Sequence, residues 1–394
     1  RILVLEHGYH GDTIGTMSVG ARGAFNRAYE PLLFDVETIR FPGAGAEQAT
    51  LDALEAACRA GPAALIVEPL IVGAGGMLIY PPWVLAEMRR ICARHDVLFI
   101  ADEVMTGWGR TGTLLACEQA DVVPDILCLS KGLTGGAVPL AVTMAREDIY
   151  QAHYSDDRAK MFFHSSSYTA NPIACAAAAA NIAIWEDEPV LARVADLAAR
   201  QAERLAALEG VRNARALGTI AAVDLGTEAA AYLSTLGPRL LAFFRERDLL
   251  LRPLGNTVYV MPPYCIEDAD LDAIAADVPP FIRAAAHFGL LDLLPVPDAW
   301  IDRLRGMGRG GPEQRLRAVA ARLAAARATP PDRVQDIAAL MRGAGPLADN
   351  LLGFLPAGLE TTAQAAAWGL YLLALYPEWQ EAVYREALAA DATD

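Results

Sequence analysis

The sequence lacks the marks of several common protein classes. Its six cysteines, Cys58, Cys92, Cys117, Cys128, Cys175 and Cys265, lie far apart, with no Cys-x-x-Cys pair and no local histidine to complete a zinc set. Neither a zinc module nor a dense disulfide framework is expected, and the thiols read as reduced core residues. No run of lysine and arginine with interleaved aromatics offsets the formal charge of −15. That charge repels phosphate backbones and anionic headgroups, so neither nucleic acid nor membrane is an expected partner, and small molecules are. The opening run Ile2-Leu3-Val4-Leu5 is too short for the apolar part of a signal peptide. The best candidate for a membrane span, Leu351 to Tyr376, holds Pro356, Glu360, Thr361, Thr362 and Gln364, which are costly in lipid. A cytoplasmic protein is the expectation, and no internal repeat of solenoid period is visible.

What is present is globular in composition, 54% hydrophobic and 21% charged over 394 residues, enough for about two to three domains with a large buried core. Up to about residue 145 short β-branched runs alternate with longer helical stretches. The runs are Arg1 to Leu5, Ala64 to Val67, Val97 to Ala101 and Asp125 to Leu129, which predicts an α/β fold with a largely parallel sheet. Asn171-Pro172 opens a helix, with asparagine as N-cap and proline in the first turn, continuing through an alanine-rich stretch to Trp185. A second long helix follows near Pro189 to Leu208. Val211 to Asp270 returns to short strands, the last at Thr257 to Met261, and reads as a small α+β domain. After about residue 277 strand signals nearly vanish and the rest reads as helical. The resulting division is 1–208, 209–277 and an all-α tail over 278–394. The start at Arg1, without a methionine, reads as a truncation.

Two residues carry candidate chemistry. Asp102 follows an apolar run, which places it at the carboxyl end of a parallel strand, the edge at which open α/β sheets bind ligands. Lys131 follows Asp125 to Ser130 and precedes Gly132, with Gly135-Gly136 close behind, so it too leaves a strand end into a tight turn. A partly desolvated lysine forms a Schiff base, and a carboxylate on a pyridine nitrogen keeps that ring an electron sink. Spacing alone fits equally a surface lysine and an aspartate that caps a helix.

The stretches Asp102-Glu103-Val104-Met105-Thr106-Gly107-Trp108-Gly109-Arg110-Thr111-Gly112 and Ser130-Lys131-Gly132-Leu133-Thr134-Gly135-Gly136 resemble the motifs of the class III aminotransferases. The resemblance extends from Gly8-Tyr9-His10-Gly11-Asp12-Thr13 through Pro69, Gly75-Gly76 and Asn171-Pro172 to Leu251-Arg252-Pro253-Leu254-Gly255-Asn256 and Met261-Pro262-Pro263-Tyr264, about two thirds of the chain. It implies the fold-type I transferase architecture, with a large domain on a mostly parallel sheet and a small α+β domain. It also implies pyridoxal 5'-phosphate as cofactor and a homodimer. Within the family, the last two stretches are most similar to the members that serve biotin biosynthesis by moving an amino group from S-adenosylmethionine to 8-amino-7-oxononanoate. By resemblance Lys131 carries the cofactor and moves the proton, and Asp102 pairs with the pyridinium nitrogen. Tyr9 stacks on the cofactor and lines the substrate pocket, Arg252 clamps a substrate carboxylate, Ser166 and Ser167 serve the phosphate, and Ser165 the substrate.

The tail resembles a different family. Leu352 to Ala363 and Leu372 to Gln380 are similar to the oxygen-binding helix of the cytochrome P-450 monooxygenases, over about the last 110 residues. There Ala357-Gly358 would open the helix and Glu360-Thr361 would relay protons. A haem-thiolate site needs a cysteine ligand and none follows Cys265, so no haem is expected. The chain reads as two incomplete families joined near residue 280. Two further readings stand beside the transaminase: a non-catalytic fragment that no longer holds the cofactor, and a piece of a haem monooxygenase.

Overall fold

A six-stranded sheet forms the centre of the computed structural model, which describes residues 1–23, 26–164, 167–225 and 236–278. Its strands are β1 (Ile2–Leu5), β2 (Glu37–Ile39), β3 (Ala64–Val67), β6 (Leu98–Asp102), β7 (Ile126–Leu129) and β8 (Val142–Ala145), with a two-stranded hairpin of β4 (Ile71–Val72) and β5 (Leu78–Ile79) between β3 and β6 in sequence. The spatial order is β2-β1-β3-β6-β7-β8, all parallel except β8, which runs antiparallel at one edge. Each apolar run read from the sequence is a strand, displaced by no more than one residue.

The parallel strands need crossovers, and amphipathic helices supply them. Among α1 (Ile14–Ser18), α2 (Glu47–Cys58) and α3 (Pro82–Arg94), the last two carry the core. In α3 the buried residues Val84, Leu85, Met88, Ile91 and Cys92 recur at three- and four-residue spacing and face the sheet. Proline in its first turn costs no hydrogen bond there. With Leu51 and Leu54 of α2, they cover Leu3, Leu65, Val67 and Phe99 of the sheet.

Beyond β8 come α4 (Glu147–His153), α5 (Pro172–Asp187) and α6 (Val190–Ala206). Asn171 caps α5 as expected, its side-chain oxygen accepting from the backbone N–H groups of Ile173 and Ala174. A second, antiparallel sheet of β9 (Arg212–Leu217), β10 (Ile220–Asp224) and β11 (Thr257–Val260) follows, in the order β11-β10-β9. With α7 (Leu236–Arg245) it encloses a smaller core of Val223, Leu225, Leu240, Phe244, Val258 and Val278.

One expectation is corrected. Cys58, Cys92 and Cys117 are buried, but Cys175 and Cys265 are exposed and Cys128 is only partly covered. Cys175 sits on α5, whose buried residues are Ala174 and Ala178 alone, so most of that apolar helix faces outward. Among the described residues no helix is long and apolar enough to cross a membrane. The expectations for residues 279–394, including Ala357, Gly358, Glu360 and Thr361, lie outside the described residues.

Candidate active site

The carboxyl ends of β1, β3, β6 and β7 open on one edge of the sheet, and the polar groups of interest sit there. Asp102 is the last residue of β6 and only 7% exposed. One carboxylate oxygen, Oδ2, lies 2.7 Å from Nδ1 of His10, and Oδ1 accepts from the backbone N–H of Val104 at 3.1 Å. His10 belongs to the loop after β1 and its side chain is 2% exposed. It therefore reaches across the end of β3 to hold the aspartate in one orientation.

Glu68 directly follows the last residue of β3. Its Oε1 accepts from the N–H of Tyr9 at 2.9 Å and its Oε2 from the N–H of Gly73 at 3.0 Å, so one carboxylate fixes two loops of this edge. Burial pushes its pKa up to about 7; His10 and the two N–H groups pull the other way, and the charge of Asp102 adds to the rise. The folded protein thus binds this proton more tightly than the unfolded chain, whose carboxyl titrates at the ordinary 4.5. The stability this gives is complete below 4.5 and is lost as pH rises through about 7, on the order of 3 kcal/mol in all. Glu68→Gln does not titrate. Its amide also turns an N–H toward one of the two donors, a pH-independent cost of about 1–3 kcal/mol. Urea unfolding of parent and variant should show the stability difference moving in the variant's favour by on the order of 3 kcal/mol between pH 4.5 and 8. A difference flat with pH would disprove the account.

Glu103, fully buried, folds the following loop back on itself. It accepts from the Thr106 hydroxyl and from the N–H groups of Ala116 and Cys117, at 3.1 and 2.8 Å. At the tip of this loop Arg110 donates to Thr219 Oγ1 at 3.1 Å and to the Pro262 carbonyl at 2.7 Å, with its guanidinium 4.6 Å from the Tyr264 ring centre. Burial pulls its pKa below the usual arginine range.

Lys131 lies two residues beyond β7, and Asp102 pairs in register with Cys128 of that strand. The two predicted residues are therefore on adjoining strand ends. Lys131 has φ +45°, a left-handed conformation that costs a non-glycine residue energy and is held only by its surroundings. Ser130 Oγ donates to the Leu140 carbonyl at 2.7 Å. A Cβ on Gly132 would stand 2.6 Å from Cβ and 2.8 Å from Cγ of Trp108, so only glycine fits after the lysine.

Tyr9 is partly buried on the β1 side of this edge. Burial, then its hydrogen bond with Asp12, pushes its phenol up to about 12, while the charge of Arg252 pulls it down. The structure thus brings Arg252, from the segment between α7 and β11, into the electrostatic range of Tyr9. Arg252 is exposed. Ser167 is exposed on the loop before α5. Ser165 and Ser166 lie outside the described residues.

Sequence reasoning singled out neither His10 nor Glu68 by role, and it passed over Trp108 and Asn181. Glu68 follows an apolar run just as Asp102 does, so the same rule would have found it. Asn181 is the only polar side chain between Pro172 and Trp185 apart from Cys175, which is a signal in itself. The chemistry of the set fits pyridoxal phosphate: a buried carboxylate backed by an imidazole suits a pyridinium nitrogen, an adjoining lysine suits the aldehyde, and an aromatic ring suits the heterocycle's face. Among the described residues no cluster of histidine, cysteine or carboxylate side chains suits a metal ion.

Comparison with known proteins agrees with this chemistry. Residues 1–278 match the family described as Aminotransferase class-III, and residues 345–391 match Cytochrome P450. The adenosylmethionine-8-amino-7-oxononanoate aminotransferase of Synechococcus elongatus is 44% identical over 288 residues, 71% of this chain and 68% of that protein. The enzyme of the same name from Anoxybacillus flavithermus is 39% identical over 301 residues, 70% of this chain and 65% of its own. Among solved structures, that of the adenosylmethionine-8-amino-7-oxononanoate aminotransferase from Methanocaldococcus jannaschii is similar with a TM-score of 0.66 at 32% identity, covering 72% of this chain and 68% of that one. An amine transaminase from an uncultivated Pseudomonas species, solved in its PLP-bound form, gives 0.65 at 30% identity, over 71% and 68%. The chain spans about two thirds of the length of the relatives it matches.

Proposed function

The chain belongs to the class III aminotransferases, and from that premise we propose that it transfers an amino group from S-adenosylmethionine to 8-amino-7-oxononanoate with pyridoxal phosphate held at Lys131. The observation that carries the reading is the pair of strand ends: Asp102, buried and bonded to His10 at 2.7 Å, adjoining the strand that delivers Lys131. The substrates follow from the names of the relatives above. In this reading residues 1–208 bind the cofactor and 209–277 form the small domain.

The cofactor, when bound, supplies an electron sink that lets an amino group and a proton change places on carbon. Lys131 Nζ would hold the cofactor through its aldehyde and would move the proton at the substrate carbon. Asp102 would serve the cofactor's ring nitrogen, and His10 holds its carboxyl group in place. Tyr9 offers its ring to the cofactor face and its hydroxyl to the substrate pocket, where a phenol held un-ionised by burial and Asp12 acts as a donor. Arg252 offers a planar fork to a substrate carboxylate. Ser166 and Ser167 bind the phosphate, and Ser165 the substrate. Donor and acceptor use the same residues in turn, so the kinetics are ping-pong.

A homodimer is part of the proposal. All four residues of β8 are exposed, and Met144, Tyr154, Phe162, Phe163, Tyr168 and Ile173 stand exposed along the same stretch of chain, an apolar extent that suits a second copy of this chain. A cytoplasmic location accords with the expected reduced thiols.

The test is a label. Lys131 and Lys160 are the only lysines, so incubation with pyridoxal phosphate, borohydride reduction and peptide mapping gives an unambiguous answer. The label is expected on Lys131, at one per chain, with adenosylmethionine discharging it before reduction, and sedimentation of the same sample should show a dimer. A label on Lys160 or none at all would favour the non-catalytic reading.

A further inference from the structure

Lys131 holds a left-handed backbone that its own side chain does nothing to favour, so something outside the turn must impose it. The grip comes from α5. Nδ2 of Asn181 donates to the carbonyl of Gly132 at 3.0 Å and to that of Leu133 at 3.1 Å, using both hydrogens of one amide on the two residues that follow the lysine. We propose that Asn181 is a positioning residue for Lys131, fixing through these two carbonyls the turn on which the lysine sits. The proposal rests on the reading of Lys131 as the residue that attaches the cofactor.

Three observations converge on it. An amide in the middle of an alanine-rich helix contributes nothing to helix formation and is isolated among Ala and Ile neighbours. Trp185 lies one helical turn further along α5, on the same face, and its ring packs edge-on against Trp108 at 5.9 Å between centres. Trp108 in turn fills the space beside Gly132 that a Cβ would need. One face of α5 therefore acts on the lysine turn twice, by hydrogen bond through Asn181 and by contact through Trp185 and Trp108. The turn is held between them, with Leu133 buried beneath it and its N–H returned to the Ser130 carbonyl at 3.0 Å.

A held turn matters because attack on an aldehyde depends steeply on where the amine stands, and a displacement of about 1 Å can cost on the order of 100-fold in rate. In Asn181→Ala the two carbonyls lose their donor and the left-handed residue is free to relax. Asn181→Asp keeps the shape but sets a carboxylate against two carbonyl oxygens, and protonation restores one donor.

Three readouts test this. In cofactor-free protein, hydrogen exchange at the Leu133 amide should quicken in both variants while amides of β1 and β3 keep parental protection. The rate at which borohydride-fixable pyridoxal phosphate appears on Lys131 should fall roughly 10- to 100-fold in Asn181→Ala. For Asn181→Asp the ratio of that rate to the parent's should recover between pH 7 and pH 5, whereas for Asn181→Ala it should stay flat. Parental labelling rates in both variants, or unchanged exchange at Leu133, would overturn the proposal. If the alanine variant does not fold, the pH-dependent ratio of the isosteric aspartate variant decides alone. Should the parent itself take no label, the cofactor reading fails, and the exchange experiment still decides whether Asn181 holds the turn.

Discussion

Asp102→Ala is expected to lower the rate of the first half-reaction by roughly 10²- to 10³-fold. Loss of one preorganised group that stabilises charge at a reacting centre costs about 2.7–4 kcal/mol, and each 1.36 kcal/mol is about a factor of ten in rate. Two losses combine. Nδ1 of His10, with its side chain 2% exposed, is left without its acceptor, and in the proposed role a cofactor ring nitrogen would lose the carboxylate that serves it. Asp102→Asn fills the same volume and still accepts from the Val104 N–H, but it turns an N–H toward His10 and carries no charge, so it should share both losses without opening a cavity. Single-turnover kinetics with adenosylmethionine, read from the visible spectrum, make the measurement. Turnover within tenfold of the parent in the alanine variant would remove Asp102 from the role given to it.

The largest effect on stability is expected at Gly218, far from that carboxylate in sequence. It forms the turn between β9 and β10 with φ +54°. An added Cβ would stand 2.6 Å from the Arg110 carbonyl oxygen, and closer still to the carbonyl carbon of Thr111 and the nitrogen of Gly112. These are backbone atoms of the loop that follows Asp102, and no rotamer change relieves the overlap. A left-handed alanine costs about 1–2 kcal/mol and an overpacked contact about 1–3 kcal/mol, so Gly218→Ala should lose about 2–5 kcal/mol in urea unfolding. The N–H of Thr219 bonds the Arg110 carbonyl at 3.0 Å, so moving the turn to make room breaks that contact too. A variant as stable as the parent would show that turn and loop are not interlocked.

Why some of this was legible in the sequence and some was not follows from range. Asp102 and Lys131 stand out because each ends an apolar run, and a four- or five-residue parallel strand shows in local composition. Asn171-Pro172 announces α5 for the same reason, since its capping bonds reach only to Ile173 and Ala174. The partners of those residues are not local. His10 meets Asp102 only because β1 and β6 flank β3, and that order is written in pairing rather than in spacing. Arg110 appears in the sequence as part of a motif, but its acceptors, Thr219 and Pro262, lie in the turn between β9 and β10 and just beyond β11. The exposure of Cys175 was missed because an alanine-rich helix looks buried by composition, whereas α5 turns most of its surface outward. Asn181 was visible as a lone amide in an apolar helix, and what it grips was not.

The bonds that close this edge of the molecule join residues 92 positions apart at His10 and Asp102, 109 apart at Arg110 and Thr219, and 152 apart at Arg110 and Pro262. The entropy lost in closing such loops grows only with the logarithm of their length, about 0.6 kcal/mol for each doubling. Long surface insertions between these anchors would therefore leave the assembly of the site almost untouched, while a single methyl group on Gly132 or Gly218 has nowhere to go. The architecture is permissive about how much chain it contains and unforgiving at points where that chain must be thin, Gly132 and Gly218 among them.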